Sequence, residues 1–305
     1  MRLLLVHNRS LDLNGEDIYF ESLIELLKKH NNQTFLYAKS NKNLRNDFFE
    51  NVSVARNMFE NEKSKIKLSK IIGKVQPDIA HFHNVYPLIS PSAYSVCKQY
   101  RVPIIQTIHN YRFMCSKAVL FRNGKVCELC VRKKFPYYSI LYGCYHRSRM
   151  ASAVFASAFF YHKHIKKSFD AIDTYIFPSP FTRDYYVKNL QLSPSKTVVL
   201  PYFVPLNKKR RDNRKKDYFL FAGRLSEEKG VLQLLEVFKA LPYKLVGSGD
   251  GPLKKQVLKY KNYENIEIKH FLPQNKIFFY MQNAICTIIP SLWYEVLPMV
   301  MLESF

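Results

Sequence analysis

Residues 285–305 read ICTIIPSLWYEVLPMVMLESF. Ile285 to Ile289 is a short apolar run rich in β-branched residues, the pattern of a buried strand. Pro290-Ser291 ends it, and Pro298 suits the first position of a helix, where a missing N–H costs nothing. Glu295 therefore falls on the loop leaving a strand, and Glu303 about one and a half turns into the following helix. Between them the N–H groups of Met299 and Val300 open a helix N-terminus, a ready anion site. In parallel α/β sheets ligands bind at this end of the strands. Two carboxylates flanking an anion site suit a ligand with phosphates and hydroxyls, such as a sugar nucleotide. On spacing alone the two glutamates serve equally well as solvated charges at a helix start.

Upstream, Tyr218 to Phe221 reads as a strand, followed by AGRLSEEKG over 222–230 and an amphipathic helix through Phe238. Arg224 and Lys229 put two cations on one strand-to-helix loop, which is what a diphosphate needs as it becomes a leaving group. A strand over Tyr243 to Val246 ends in GSGDGP over 247–252, by itself only a glycine turn. Ile266 to Ile268 gives a further strand, and Asn275 to Gln282 a helix.

The first two hundred residues repeat the alternation. Arg2 to Val6 is a buried strand opening into a loop over His7 to Glu16 that contains Asn14-Gly15, and a helical pattern begins at Ile18. Thr34 to Tyr37 and Val52 to Val54 read as strands, and Ser64 to Lys74 as a helix. Ile79 to Phe82 delivers His81, His83 and Asn84 to its carboxyl end, and Pro103 to Ile108 delivers His109, Asn110 and Tyr111. Thr174 to Phe177 and Val198 to Leu200 are later strands. Strands alternating with helices make the fold class α/β, with a doubly wound parallel sheet. His109, just past a buried strand, reads either as a cleft residue or as an ordinary loop histidine. His83 is a second candidate, and His81 reads as core-facing.

The wording goes further than the spacing. Pro-Ser, an aromatic pair, Glu295, Leu297-Pro298 and Glu303 resemble the E-x7-E signature of the retaining glycosyltransferases of family 4 (GT4). Their GT-B fold sets two Rossmann-like doubly wound domains facing a cleft. The Gly223-Arg224-Leu225 and Glu228-Lys229-Gly230 wording matches the same family, as does Thr107-Ile-His-Asn-Tyr-Arg112. The resemblance implies that Glu295 contacts hydroxyls of the transferred sugar and Glu303 the ribose, with the amides of Met299 and Val300 after Pro298 on the diphosphate. It implies diphosphate binding by Arg224 and Lys229 beside Gly223, and places the turn of Gly247 and Gly249 near the nucleotide. Gly15 is what remains of a glycine pair whose first member is here Asn14. His109 would face the reacting carbon. The implied catalytic set is His109, Glu295, Arg224 and Lys229, with no cofactor or metal required for catalysis. The implied reaction is hexosyl transfer with retention from a UDP-, GDP- or ADP-sugar to a hydroxyl of a glycan or lipid-linked acceptor. Its setting would be lipopolysaccharide, capsule or exopolysaccharide synthesis. The resemblance runs from Leu3 to Glu303.

At 305 residues two domains are expected: 1–205 on the acceptor side, a basic linker over 206–217, and a nucleotide-sugar domain over 218–305. The linker holds NKKRRDNRKKD over 207–217, a charge run without an apolar residue. The second domain is short and the chain ends within a helix, so a C-terminally incomplete enzyme is expected, poorly soluble and weakly active or inactive as 1–305 alone. No secretory signal or membrane span is visible, which places the protein in the cytoplasm. Within an insert over about 113–146, Cys115, Cys127, Cys130 and Cys144 read either as a structural zinc site or as separate thiols, with Asn123-Gly124 as a tight turn between strands. Cys97 and Cys286 read as buried core thiols. A formal net charge of +23 and a basic, aromatic segment over 131–167 suit the anionic inner face of a membrane. Packed aromatics beneath a solvated lysine face account for that segment equally. The rival from another class is a zinc-stapled basic protein for nucleic acid or membrane. It leaves Arg224, Lys229, Glu295 and Glu303 unexplained, so nucleic acid is not the expected partner.

Overall fold

The computed structural model describes residues 1–10, 14–41, 48–204 and 217–305. In chain order its elements begin with β1 (Arg2–Arg9), α1 (Gly15–Lys29), β2 (Gln33–Ser40), α2 (Phe48–Phe59), α3 (Glu62–Val75), β3 (Ile79–Phe82), α4 (Tyr94–Gln99) and β4 (Ile104–Thr107). There follow β5 (Phe121–Arg122), β6 (Lys125–Val126), α5 (Tyr137–Leu141), α6 (Arg149–Phe160), β7 (Thr174–Phe177), α7 (Pro180–Leu190) and β8 (Thr197–Val199). The rest are β9 (Tyr218–Ala222), α8 (Val231–Lys239), β10 (Lys244–Ser248), α9 (Lys254–Val257), β11 (Ile266–Lys269), α10 (Gln274–Asn283) and α11 (Met299–Ser304). The chain forms two compact units: Met1–Ala118 with Leu129–Pro201, and Val119–Glu128 with Tyr202–Phe305. Residues 206–216 of the expected linker lie outside the described residues.

The first unit is built on a six-stranded parallel sheet in the order β2-β1-β3-β4-β7-β8. Leu3 to Val6 are all buried, because β1 is an inner strand covered on both faces. Phe20 and Ile24 of α1 pack on Leu3 and Leu5. The chain runs from β1 out to β2 and returns on the other side of β1 to β3. That reversal is a topological switch point, and it opens a crevice at the carboxyl ends of β1 and β3. Asn14 caps α1 there, its side chain accepting from the Asp17 N–H at 3.0 Å.

Val52 to Val54 is not a strand; it lies inside α2. Val54 and Met58 turn inward four residues apart while Val52 is exposed, so helical periodicity overrides the local preference of three β-branched or small residues. Asn123 and Gly124 form the expected tight turn between β5 and β6, both at positive φ (52° and 74°), the requirement of a type I′ hairpin.

The second unit has three parallel strands in the order β11-β10-β9. On α8, Val231, Leu234, Leu235 and Phe238 repeat at helical spacing and bury one face against Leu245 and Ile266. Ile285 to Ile289 differs from its reading as a buried strand. It runs parallel to β9, with Leu220 donating to the Cys286 carbonyl at 3.0 Å and Ile288 donating to the Leu220 carbonyl at 2.7 Å. Ile285 and Ile289 are nevertheless exposed, because the segment lies at the outer edge of β9. Cys286 is likewise exposed rather than buried, while Cys97 is in the core. This unit too reverses direction, from β9 out through β10 and β11 and back to 285–288, so its switch point lies at the carboxyl ends of β9 and that segment. Among the described residues no helix is long and apolar enough to cross a membrane.

Candidate active site

In the second unit two loops meet at the switch point. The first leaves β9 through Gly223 and Arg224 and turns at Glu227–Lys229 into α8. The second leaves 285–288 and runs to α11, with Pro298 flanking that helix as its N-cap and Met299 as its first residue. The Leu292 N–H donates to the Glu228 carbonyl at 2.8 Å. Lys229 Nζ donates to Glu295 Oε1 at 2.5 Å, and Ser291 Oγ donates to the same oxygen. The Lys229 ammonium also lies 5.2 Å from the centre of the Trp293 ring. Arg224 is exposed on the same loop.

Two glycines make this approach of backbones feasible. A Cβ on Gly230, at φ +66°, would meet the Pro290 carbonyl oxygen at 2.0 Å. A Cβ on Gly249 would meet the Gly223 carbonyl oxygen at 1.8 Å. The β10 turn thus lies directly on the β9 loop, with Gly223 donating to the Ser248 carbonyl and Leu225 to that of Asp250. Gly247 precedes this turn within β10. Glu303 is on α11, its Oε1 accepting from Gln274 Nε2 at 3.2 Å, and burial raises its carboxyl above the ordinary value.

The first unit carries its own polar cluster at its own switch point. His83 donates its backbone N–H to the Val6 carbonyl at 3.0 Å, which fixes the end of β3 beside β1. His83 Nδ1 and His109 Nε2 are 2.9 Å apart with their rings stacked. Burial, reinforced by neighbouring histidines, holds both imidazoles well below the usual range, so both are neutral near neutral pH. His81 is hydrogen-bonded to Thr107 Oγ1 and lies against the His83 ring, and burial lowers its imidazole to about 4. His83, Tyr86, His109, Asn110 and Arg112 line a small pocket.

Sequence reasoning missed three members of this cluster. His7 Nε2 is 2.8 Å from Asp17 Oδ1, and Glu16 lies alongside, its carboxyl raised to about 7 chiefly by burial. Gly15, the expected phosphate-loop glycine, is the first residue of α1 just before them. An acid pair in a first helical turn reads as a complement to the helix dipole, so nothing in the spacing shows that these carboxylates turn inward.

Among the described residues no group of three or more His, Cys, Asp or Glu side chains could hold a metal ion, and no disulfide is formed.

The family model described as Glycosyltransferase Family 4 matches residues 15–208, and the one described as Glycosyl transferases group 1 matches residues 205–305. No curated protein matches the sequence. Among solved structures the chain is similar to the lipopolysaccharide outer core galactosyltransferase WaaB in its apo form (TM-score 0.54, 14% identity, 100% of this chain and 78% of that one). It is similar to Anabaena Alr3699/HepE in complex with UDP (TM-score 0.57, 11% identity, 100% and 78%). AviGT4, a glycosyltransferase of avilamycin A biosynthesis, is a third (TM-score 0.53, 13% identity, 99% and 75%). These likenesses give the fold as GT-B, and the model spanning 15–208 covers more than half of the residues: the chain belongs to glycosyltransferase family 4.

Proposed function

We propose that this protein transfers a hexosyl group from a nucleotide sugar to an acceptor hydroxyl with retention of configuration. The observation that carries the reading is the meeting of Lys229 and Glu295 on two loops at the second unit's switch point. A cation for phosphate and a carboxylate for sugar hydroxyls stand side by side there, as a nucleotide sugar requires. The bond between the anomeric carbon and the diphosphate oxygen breaks, and a bond to the acceptor oxygen forms. The products are glycosylated acceptor, nucleoside diphosphate and one proton. Negative charge develops on the diphosphate, where Arg224 and Lys229 stabilise it. Glu295 orients the sugar, Glu303 binds the ribose, and the amides of Met299 and Val300 bind the diphosphate. Gly223, Gly247, Gly249, Pro298 and, in the first unit, Gly15 shape the donor loops, and His109 serves the reacting carbon. These assignments leave no step to a metal.

The HepE structure holds UDP and, in a second crystal, UDP and glucose, which supports a nucleotide donor for this chain, with UDP, GDP and ADP as the bases to test. We place the reaction in cell-surface polysaccharide synthesis at the cytoplasmic face of a membrane, on a glycan or lipid-linked acceptor. The first unit supports peripheral attachment there. Leu141, Tyr142 and Met150 are exposed and lie within a few residues of exposed Arg147 and Arg149, so this short stretch offers both apolar and basic side chains to solvent. The test incubates the protein with a panel of nucleotide sugars and glycan or lipid-linked acceptors, following the anomeric proton by NMR. Net retention supports the reading. An inverted product removes retention, and no consumption of any donor removes the transferase.

A further inference from the structure

His7 Nδ1 and Glu16 Oε1 are both buried, neither has a hydrogen-bond partner, and they face each other at 4.0 Å. The other ends of both side chains are held. His7 Nε2 meets Asp17 Oδ1 at 2.8 Å, and Glu16 Oε2 accepts from Asn110 Nδ2 at 3.4 Å. A carboxylate at Asp17 can only accept, so Nε2 carries the ring hydrogen. A neutral His7 then presents Nδ1 as an acceptor, and an ionised Glu16 would present a second acceptor to it. Two buried acceptors cannot satisfy each other. A proton on the Glu16 carboxyl removes the conflict.

Glu16 also reaches the turn that follows β4. Asn110 is next to His109, its carbonyl accepts from Tyr186 Oη at 2.6 Å, and its Oδ1 accepts from the Arg112 N–H at 3.0 Å. Its side-chain N–H group is the one turned to Glu16. We propose that Glu16 is a positioning residue: it keeps a buried proton beside His7 and, through Asn110, holds the turn that carries His109.

Ionisation of Glu16 would place a second negative charge beside Asp17 in the same helical turn. The groups facing Glu16 are His7 on β1, Asp17 on α1, and Asn110 and Arg112 after β4; His83, at the end of β3, stands edge-on to His7. Burial and Asp17 favour the neutral acid, whereas His7, Arg112 and Asn110 favour the anion. Burial dominates, so the carboxyl keeps its proton well above the ordinary range.

The role in turnover rests on the transferase reading; the proton does not. The experiment is a carboxyl-carbon NMR titration of the whole protein, with the Asn110 side-chain amide and the His109 ring followed in the same samples. We expect the Glu16 midpoint near 7 rather than 4.5, and the Asn110 and His109 signals moving with it. In Glu16→Gln those two signals lose that midpoint, and the fall in kcat expected of the native protein as pH rises through about 7 is absent. An ordinary carboxyl midpoint, or Asn110 and His109 signals indifferent to it, overturns the proposal even if Glu16→Gln fails to fold. Absence of turnover with every donor removes the transferase instead and leaves the titration standing.

Discussion

Lys229 Nζ lies 2.5 Å from Glu295 Oε1, so two residues 66 positions apart in the chain close a contact between the two switch-point loops of the second unit. Both side chains keep some solvent, at 25% and 18% exposure, and Ser291 also binds the carboxylate. The pair therefore contributes little to folding, roughly 1 kcal/mol or less. In the proposed reaction its cation would meet the charge that develops on the leaving group. Lys229→Ala should lower kcat by about 10²- to 10³-fold while chemical denaturation shifts by roughly 1 kcal/mol at most. A variant that loses stability and activity in step would make the pair structural.

Glu295→Ala removes the carboxylate assigned to the sugar. Turnover should fall at least about 10²-fold, whereas affinity for the free nucleoside diphosphate changes little, because that ligand carries no sugar. Unchanged turnover would sink the assignment of Glu295.

Gly249→Ala places a methyl group 1.8 Å from the Gly223 carbonyl oxygen, a backbone atom that cannot swing aside. The second unit should lose about 1–3 kcal/mol, read by urea denaturation. A wild-type midpoint would show that the two loops are not in backbone contact.

Two windows of pH act on the first unit with opposite sign. His81 titrates at about 4 when folded against 6.5 when unfolded, so its contribution is full above 6.5 and is lost as pH falls towards 4. Glu16 titrates at about 7 when folded against 4.5 when unfolded, so stability present below 4.5 is lost as pH rises to about 7. Each shift corresponds to about 3 kcal/mol. Glu16→Gln should therefore steepen the rise in stability between pH 4.5 and 7, and thermal denaturation across that range would show it. Parallel curves for the two proteins would mean that Glu16 is an ordinary carboxylate.

The parallel strands were legible because inner strands are continuous apolar runs, as in Leu3 to Val6, and because glycine turns and charged loops separate them. The donor-loop residues were legible for the same reason: their loops leave recognisable strands. Short segments were not. Three residues at Val52 to Val54 carry no period, and only the burial of Met58 four residues after Val54 shows the helix. The run at Ile285 to Ile289 looks buried because composition does not say that it lies at the outer edge of β9. Nor do four cysteines within thirty residues say whether they converge. The inward turn of His7, Glu16 and Asp17 is a tertiary fact, set by β3 and the turn after β4 closing over the start of α1.

The proposed attachment to a membrane rests on exposed Tyr142 and Met150, which flank exposed Arg147 and Arg149 in the sequence. Replacing both arginines by glutamate should reduce binding to phosphatidylserine-containing vesicles, at about 1 kcal/mol per lost cation, with little effect on neutral vesicles. Co-sedimentation at low and high salt reads this; equal binding by the variant would remove the patch from the account.

The proposed function requires that the second unit bind a nucleotide sugar at the loops of Arg224, Lys229 and Glu295. Calorimetric titration of the whole protein with UDP-, GDP- and ADP-sugars, beside pyrophosphate and duplex DNA, tests it most directly. The account predicts one saturating site for one of the nucleotide sugars, tighter than pyrophosphate and weakened at least about tenfold by Lys229→Ala. Binding to DNA with a steep salt dependence, and none to any nucleotide sugar beyond that of pyrophosphate, would contradict it.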